Sequence, residues 1–207
     1  MRLAHGLAFL SLLVGCQVAT PGETVTDAAI EPLVTSPEAH VKPKHRVEIT
    51  QAAWPTTEAD RSVVAEMTSD ARATLPSAVV PVLMPSSAPK SVAELTRNAT
   101  LMTKPTFVAW SSFADDRSLT VSLSSSVVVH QHAEVRAAQP TSTVRNGKPA
   151  WVLQNEGIWS VAWEEFSVWY VVELECSRPG EDTRCKDDTA VREIVEGLRF
   201  VGPEVSR

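Results

Sequence analysis

NGKPAWVLQNEGIWSVAWEEFSVWYVVELEC, residues 146–176, decides the fold. Asn146-Gly147 opens the stretch with the dipeptide best suited to a tight hairpin turn, because both residues tolerate positive φ. Asn155-Glu156-Gly157 marks a second turn one strand length later. The intervening segment 149–154 and the following 158–164 are therefore expected as successive antiparallel strands. Segment 167–176 adds another, with Val168, Tyr170, Val172 and Leu174 on one face and Trp169, Glu173 and Glu175 on the other.

Moving outward, 107–110 and the alternation of Leu119, Val121 and Leu123 with Thr120, Ser122 and Ser124 predict two more strands, separated by a turn at Asp115-Asp116. On the other side, Val191, Ile194, Val195 and Leu198 follow the i, i+3, i+4, i+7 rule after Asp187-Asp188, which predicts a capped amphipathic helix. Upstream, Thr57 with Asp60 three residues on forms a helix start, and Val63, Val64, Met67, Ala71 and Leu75 line one side of a helix that stops before Pro76. Segment 79–85 carries too many prolines for a central strand and reads as an extended edge piece, and a short helix is expected near 91–96. The expected architecture is α+β: an antiparallel meander of about five strands with an N-terminal and a C-terminal helix packed on it.

Composition sets the boundaries. The 207 residues have room for one domain, and a net charge of −6 excludes nucleic-acid binding by bulk charge. With 43% hydrophobic and 21% charged residues, the chain fits neither wholesale disorder nor a polytopic membrane protein. Between Cys16 and Thr106 the only aromatic is Trp54, whereas ten follow from Phe107 onward, so the core is expected mainly in the second half. Ten of the fourteen prolines lie between Pro21 and Pro105. Residues 16–56 read as a flexible tether and 57–207 as a single globular domain.

Residues 1–15 have one basic residue followed by a short apolar run, the pattern of an export signal. The run from Leu7 to Val14 is far below the roughly 20 residues needed to span a bilayer. Its end, Leu13-Val14-Gly15-Cys16, resembles the lipobox of bacterial lipoproteins, in which the Cys is acylated and becomes the first mature residue. The resemblance implies a lipid-anchored protein of the cell envelope, held to the bilayer through acylated Cys16 and facing the periplasm. Gln17, where Asp would favour inner-membrane retention, points to the outer membrane of a Gram-negative cell. The alternative is an ordinary secretory signal with Cys16 incidental. Removal of residues 1–15 leaves 18 basic and 25 acidic side chains, a net of −7, so the lipid rather than the protein surface is expected to make the membrane contact.

Several residues could carry chemistry, each with a plainer reading beside it. Cys176 and Cys185 in an exported chain suggest a disulfide tying the last strand to the last helix, with a redox pair or a metal site as alternatives. His130-Gln131-His132 could put two imidazoles on one strand face as metal ligands, or could be a solvated strand end. Glu173 and Glu175 beside Trp169 could act as a carboxylate pair next to a sugar-stacking ring, or form an exposed polar face. Trp159 and Trp163 share a face with Val161 and could stack a carbohydrate or peptide, or be core. No serine-hydrolase elbow, metalloprotease helix motif or phosphate-cradling loop occurs, and no cofactor is expected.

The unit from Val161 to Val172, followed by a helix ending Glu196-Gly197-Leu198, resembles the final strand pair and helix of small envelope domains. These occur in uncharacterised lipoproteins and in extracytoplasmic parts of anti-sigma and sporulation-associated proteins. The resemblance covers about forty residues, replaces the usual turn Gly by Phe166-Ser167, and carries no catalytic residues. It implies a binding or structural module with an envelope protein or cell-wall partner and no nucleic acid. The competing expectations are a cell-wall hydrolase using Glu173 and Glu175, and an envelope-stress sensor or lipid carrier.

Overall fold

The computed structural model describes residues 45–86, 93–114, 116–132 and 138–202. In chain order the elements are β1 (His45–Ile49), α1 (Arg61–Glu66), α2 (Ser69–Thr74), β2 (Val82–Pro85), α3 (Ala93–Arg97), β3 (Thr100–Lys104), β4 (Phe107–Phe113) and β5 (Leu119–Ser126). Then come β6 (Val128–His132), β7 (Ser142–Val144), β8 (Lys148–Asn155), β9 (Ile158–Glu165), β10 (Val168–Cys176), α4 (Thr189–Gly197) and β11 (Leu198–Gly202). The main sheet has seven strands in the order β3-β4-β5-β10-β9-β8-β7, and two ribbons, β1-β6 and β11-β2, stand outside it. Every pairing is antiparallel.

The expected strands all form, but the sheet is wider than the five-strand meander. β3 and β7 extend its two edges. β3 buries only Leu101 fully, and β7 is three residues long, so neither shows a clear period-two pattern. The order also joins two meanders at β5 and β10, so β5 does not neighbour β8.

The tight turns explain why β8, β9 and β10 stay in register. Glu156 and Gly157 take φ of 51° and 84° between Asn155 and its partner Ile158. Gly157 is required twice over, because a Cβ there would also come within 2.8 Å of Pro179. Phe166 and Ser167 adopt the same left-handed conformation, at 56° and 55°, without glycine. At the first hairpin Arg145 joins Asn146 and Gly147 in positive φ, making a three-residue loop rather than a two-residue one.

One face of the sheet carries the core. Val108 and Trp110 of β4, Val121 and Leu123 of β5, Val161 and Trp163 of β9, and Tyr170, Val172 and Leu174 of β10 are buried. Against them pack α4, through Val191, Ile194 and Val195, and the β2–β11 ribbon. The helices depart from the expected N-terminal and C-terminal pair. The first periodic stretch breaks into two: Asp60 rather than Thr57 caps α1, Met67 is extended, and the Thr68 hydroxyl caps α2 by accepting from the Ala71 N–H. α3 is the short helix expected near 91–96, and the described chain ends in β11 rather than in a helix.

The described fold also begins earlier than the expected boundary at residue 57. β1 pairs with β6, the Thr50 N–H donates to Val127 O at 2.9 Å, and the Ala53 N–H donates to Phe166 O at 2.8 Å. The signal, Cys16 and the rest of the expected tether lie outside the described residues.

β2 is the largest departure. All four of its residues are buried, although the segment was expected at an edge. Among the described residues only β11 pairs with it, so its other side has carbonyls that need donors inside the protein. The Trp110 indole donates to Leu83 O at 2.7 Å, the Tyr170 hydroxyl to Pro81 O at 2.8 Å, and the Thr96 hydroxyl to Pro85 O at 2.5 Å. Pro81 and Pro85 lack N–H groups, so the same buried segment has fewer donors left to satisfy. The prolines that argue against a sheet interior are what make this strand tolerable between two layers. Burial raises the Tyr170 phenol above its ordinary range, which keeps it a donor.

One polar clamp and one disulfide fix the two ends of α4. Arg145 Nε donates to buried Glu165 at 2.5 Å, and its guanidinium reaches Val195 O and Leu198 O at 3.1 and 2.9 Å, at the helix C-terminus. At the other end Cys176 and Cys185 form a disulfide. Closing that short loop stabilises the fold by roughly 2–3 kcal/mol in the chain-entropy account. Within the loop Asp182 accepts two bonds from the Arg184 guanidinium, at 2.9 and 2.6 Å. These bonds, with the Arg184 N–H, hold its carboxyl down at about 2, below the ordinary 3.8.

Tyr170→Phe keeps the ring and removes only the donor to Pro81 O, so urea denaturation is expected to show a loss of about 1–3 kcal/mol. An unchanged midpoint would mean that water takes the place of the hydroxyl. Because the folded state depresses the Asp182 pKa, its stabilisation is complete above about pH 4 and fades as pH falls towards 2. Melting curves between pH 5 and 2 should therefore fall more steeply for the wild type than for Asp182→Asn; parallel slopes would refute the assignment.

Candidate functional site

The opposite face of the sheet is not covered in the same way, and its side chains are read directly from strand alternation. In register across it, Ala109, Ser124, Val171, Ala162 and Trp151 make one row. Phe107, Ser126, Trp169 and Glu164 make the next. Trp151 lies on β8 and Trp169 on β10, with β9 between them. Adjacent strands are about 4.8 Å apart, so two indoles on alternate strands meet only if the residue between them is small. Ala162, opposite both Trp151 and Val171, supplies that gap. The ring centroids stand 5.3 Å apart with their planes tilted by 47°.

The pair forms part of the lining of an open cleft of about 390 Å³, which also includes Lys148, Pro149, Glu164 and Phe166. The Trp151 indole N–H is already committed, donating to Ala138 O at 3.0 Å, which fixes the ring and leaves its face as the usable surface. Trp169 and Glu164 are directly opposite one another, so a carboxylate borders the aromatic surface, and Lys148 adds a cation. Two half-buried indole faces with one anionic and one cationic group suit a ligand with an apolar ring face and polar edges.

The residues singled out from sequence are distributed as follows. Trp163 is wholly buried and stacks on Tyr170 at 5.3 Å, and its indole donates to Glu165. Trp159 is partly buried against the core and donates to Cys185 O at 2.9 Å. Both therefore belong to the core side, as the plainer reading has it. Glu173 and Glu175 are exposed on the open face, and Ser122 Oγ lies 3.4 Å from Glu173. They stand at the far end of β10 from Trp169, so the cleft and the carboxylate pair are not one site. Cys176 and Cys185 are joined, as expected.

His130 and His132 do not continue the phase of β5. The chain bends at buried Val127, whose N–H donates to Thr106 O, and the Val128 N–H donates to the Ser126 hydroxyl at 2.9 Å. The strand therefore leaves the sheet, and both histidines lie on β6, paired with β1 instead of beside Ser122 and Ser124. Among the described residues no group of three or more His, Cys, Asp or Glu is arranged for a metal.

The Trp151–Trp169 pair was missed in sequence. Its signal is the spacing of the two turns: once Glu156-Gly157 and Phe166-Ser167 set the register, Trp151 and Trp169 must flank β9 on one face.

No helix among the described residues is long and apolar enough to cross a membrane. No protein-family model matches the chain, and neither the curated proteins nor the solved structures contain a match.

Proposed function

We propose that this chain is a lipid-anchored binding module of the cell envelope that takes a saccharide-containing ligand of the cell wall in the Trp151–Trp169 cleft. The cleft is the observation that carries the reading: two indole faces held 5.3 Å apart over Ala162, one ring fixed by Ala138, bordered by Glu164 and Lys148. Sugar rings have apolar faces that stack on indoles and hydroxyl edges that bond carboxylates and ammonium groups. Export is supported by Leu13-Val14-Gly15-Cys16, and the Cys176–Cys185 bond fits an oxidising compartment. The resemblance of the C-terminal unit to envelope domains without catalytic residues agrees with a binding role. Gln17 after the lipidated Cys favours the outer membrane, with the domain facing the periplasm.

Two experiments test the parts separately. Cys16→Ser is expected to move the protein from the detergent phase to the soluble periplasmic fraction; a variant that stays with the membrane after export refutes the anchor. Trp151→Ala and Trp169→Ala are each expected to weaken co-sedimentation with purified cell wall by roughly tenfold, the worth of one aromatic face. Glu173→Gln is expected to leave it unchanged. If the tryptophan variants bind as well as the wild type, the cleft is not the ligand site.

A further inference from the structure

We propose that residues 50–53 act as a strap that holds the β9–β10 turn in its positive-φ form, and that Thr50 and Ala53 are thereby positioning residues for the Trp151–Trp169 cleft. The inference rests on the reading of that cleft as the ligand site. Glu165 pairs with Val168, so Phe166 and Ser167 are the two central residues of the turn. Both have positive φ, the type I′ pattern, in which glycine, asparagine or aspartate is the rule. The neighbouring β8–β9 turn meets the same demand with Gly157 at 84°. The β9–β10 turn has no such residue, so its conformation needs support from elsewhere in the chain.

One segment gives that support. The Ala53 N–H donates to Phe166 O at 2.8 Å, and the Thr50 hydroxyl donates to Ser167 O at 2.9 Å. Thr50 Oγ1 also stands 3.2 Å from Val127 O, but that oxygen already accepts from the Thr50 N–H at 2.9 Å, and the single hydroxyl proton goes to the shorter contact. The strap is itself held, by the Thr50 N–H on Val127 O and by Ala52 packed against the core. The bond to Phe166 O is the selective one. Types I′ and II′ differ in the orientation of the central peptide, and II′ keeps positive φ at the first central residue only. Fixing Phe166 O fixes that peptide, and with it the 55° of Ser167. Phe166 and Ser167 both line the cleft beside Trp169, so the turn form chosen by the strap shapes that end of the site.

The test uses the full-length chain and two readouts: co-sedimentation with purified cell wall, and amide hydrogen exchange of the 165–168 turn followed by mass spectrometry. Thr50→Val keeps the side-chain shape and removes the hydroxyl, and Ala53→Pro removes the N–H. Each is expected to speed exchange of the turn and to weaken co-sedimentation about three- to tenfold, the worth of one hydrogen bond. Thr50→Ser, which keeps the hydroxyl, should behave as the wild type in both. Ser167→Gly accepts positive φ without help, so adding it to Thr50→Val should bring binding back to that of Ser167→Gly alone. Unchanged exchange in both strap variants overturns the proposal. So does faster exchange with unchanged wall binding, or a loss of binding that Ser167→Gly does not repair. A wild-type chain that fails to bind wall, while its strap variants still exchange faster at the turn, sinks the saccharide reading and leaves the clamp on the turn standing.

Discussion

The fold depends on hiding one short strand between two layers without leaving its carbonyls bare. Among the described residues β2 has a strand partner on one side only, and its residues are buried. The indole of Trp110, the phenol of Tyr170 and the hydroxyl of Thr96 supply the missing donors from three different elements. Each donor therefore does two jobs, filling the core with apolar bulk and satisfying backbone oxygen. This makes the contact between the sheet and the β2–β11 ribbon specific, since a core of the same volume built from aliphatic side chains would leave three acceptors unsatisfied.

The same economy appears at α4. Arg145 sits in a turn with positive φ, yet its side chain joins Glu165 at the end of β9 to two carbonyls at the end of the helix. Its backbone N–H donates to Glu196 as well. With the disulfide at the opposite end, the helix is held by polar and covalent bonds at its termini and by Val191, Ile194 and Val195 along its length. The open face of the sheet is thereby backed by a rigid layer, which is what a site built of side chains on three strands requires.

How much of this was legible in sequence follows from the kind of signal each element carries. β5, β8, β9, β10 and α4 have one buried face and one exposed face, so period two and period 3.6 stand out. β2 is buried all round, ends in Pro85 and directly follows Pro81, which erases both the alternation and the strand propensity. β11 was hidden because Leu198, its first residue, also completes the helical stripe of Val191, Ile194 and Val195. β1 and β6 are far apart in the chain, so nothing local announces their pairing. The candidate cleft was hidden for a related reason: Trp151 and Trp169 are not neighbours in any periodic pattern, and only the register of two turns brings them together. The histidines were expected beside Ser122 and Ser124 if the strand ran unbroken from Leu119; a single bend at Val127 instead redirects it to pair with β1.

The pairing of β2 with β11 has a kinetic consequence. The first of these strands precedes all seven strands of the main sheet, and the second is the last described element, so the closing ladder spans the entire main sheet in sequence. Loop-closure entropy of this size is recovered only when nearly everything between the ends is already in place. A chain still being made has no β11, leaves β2 without its ladder, and cannot seal the core early. Commitment to the native state is thereby deferred until the last described strand has been made.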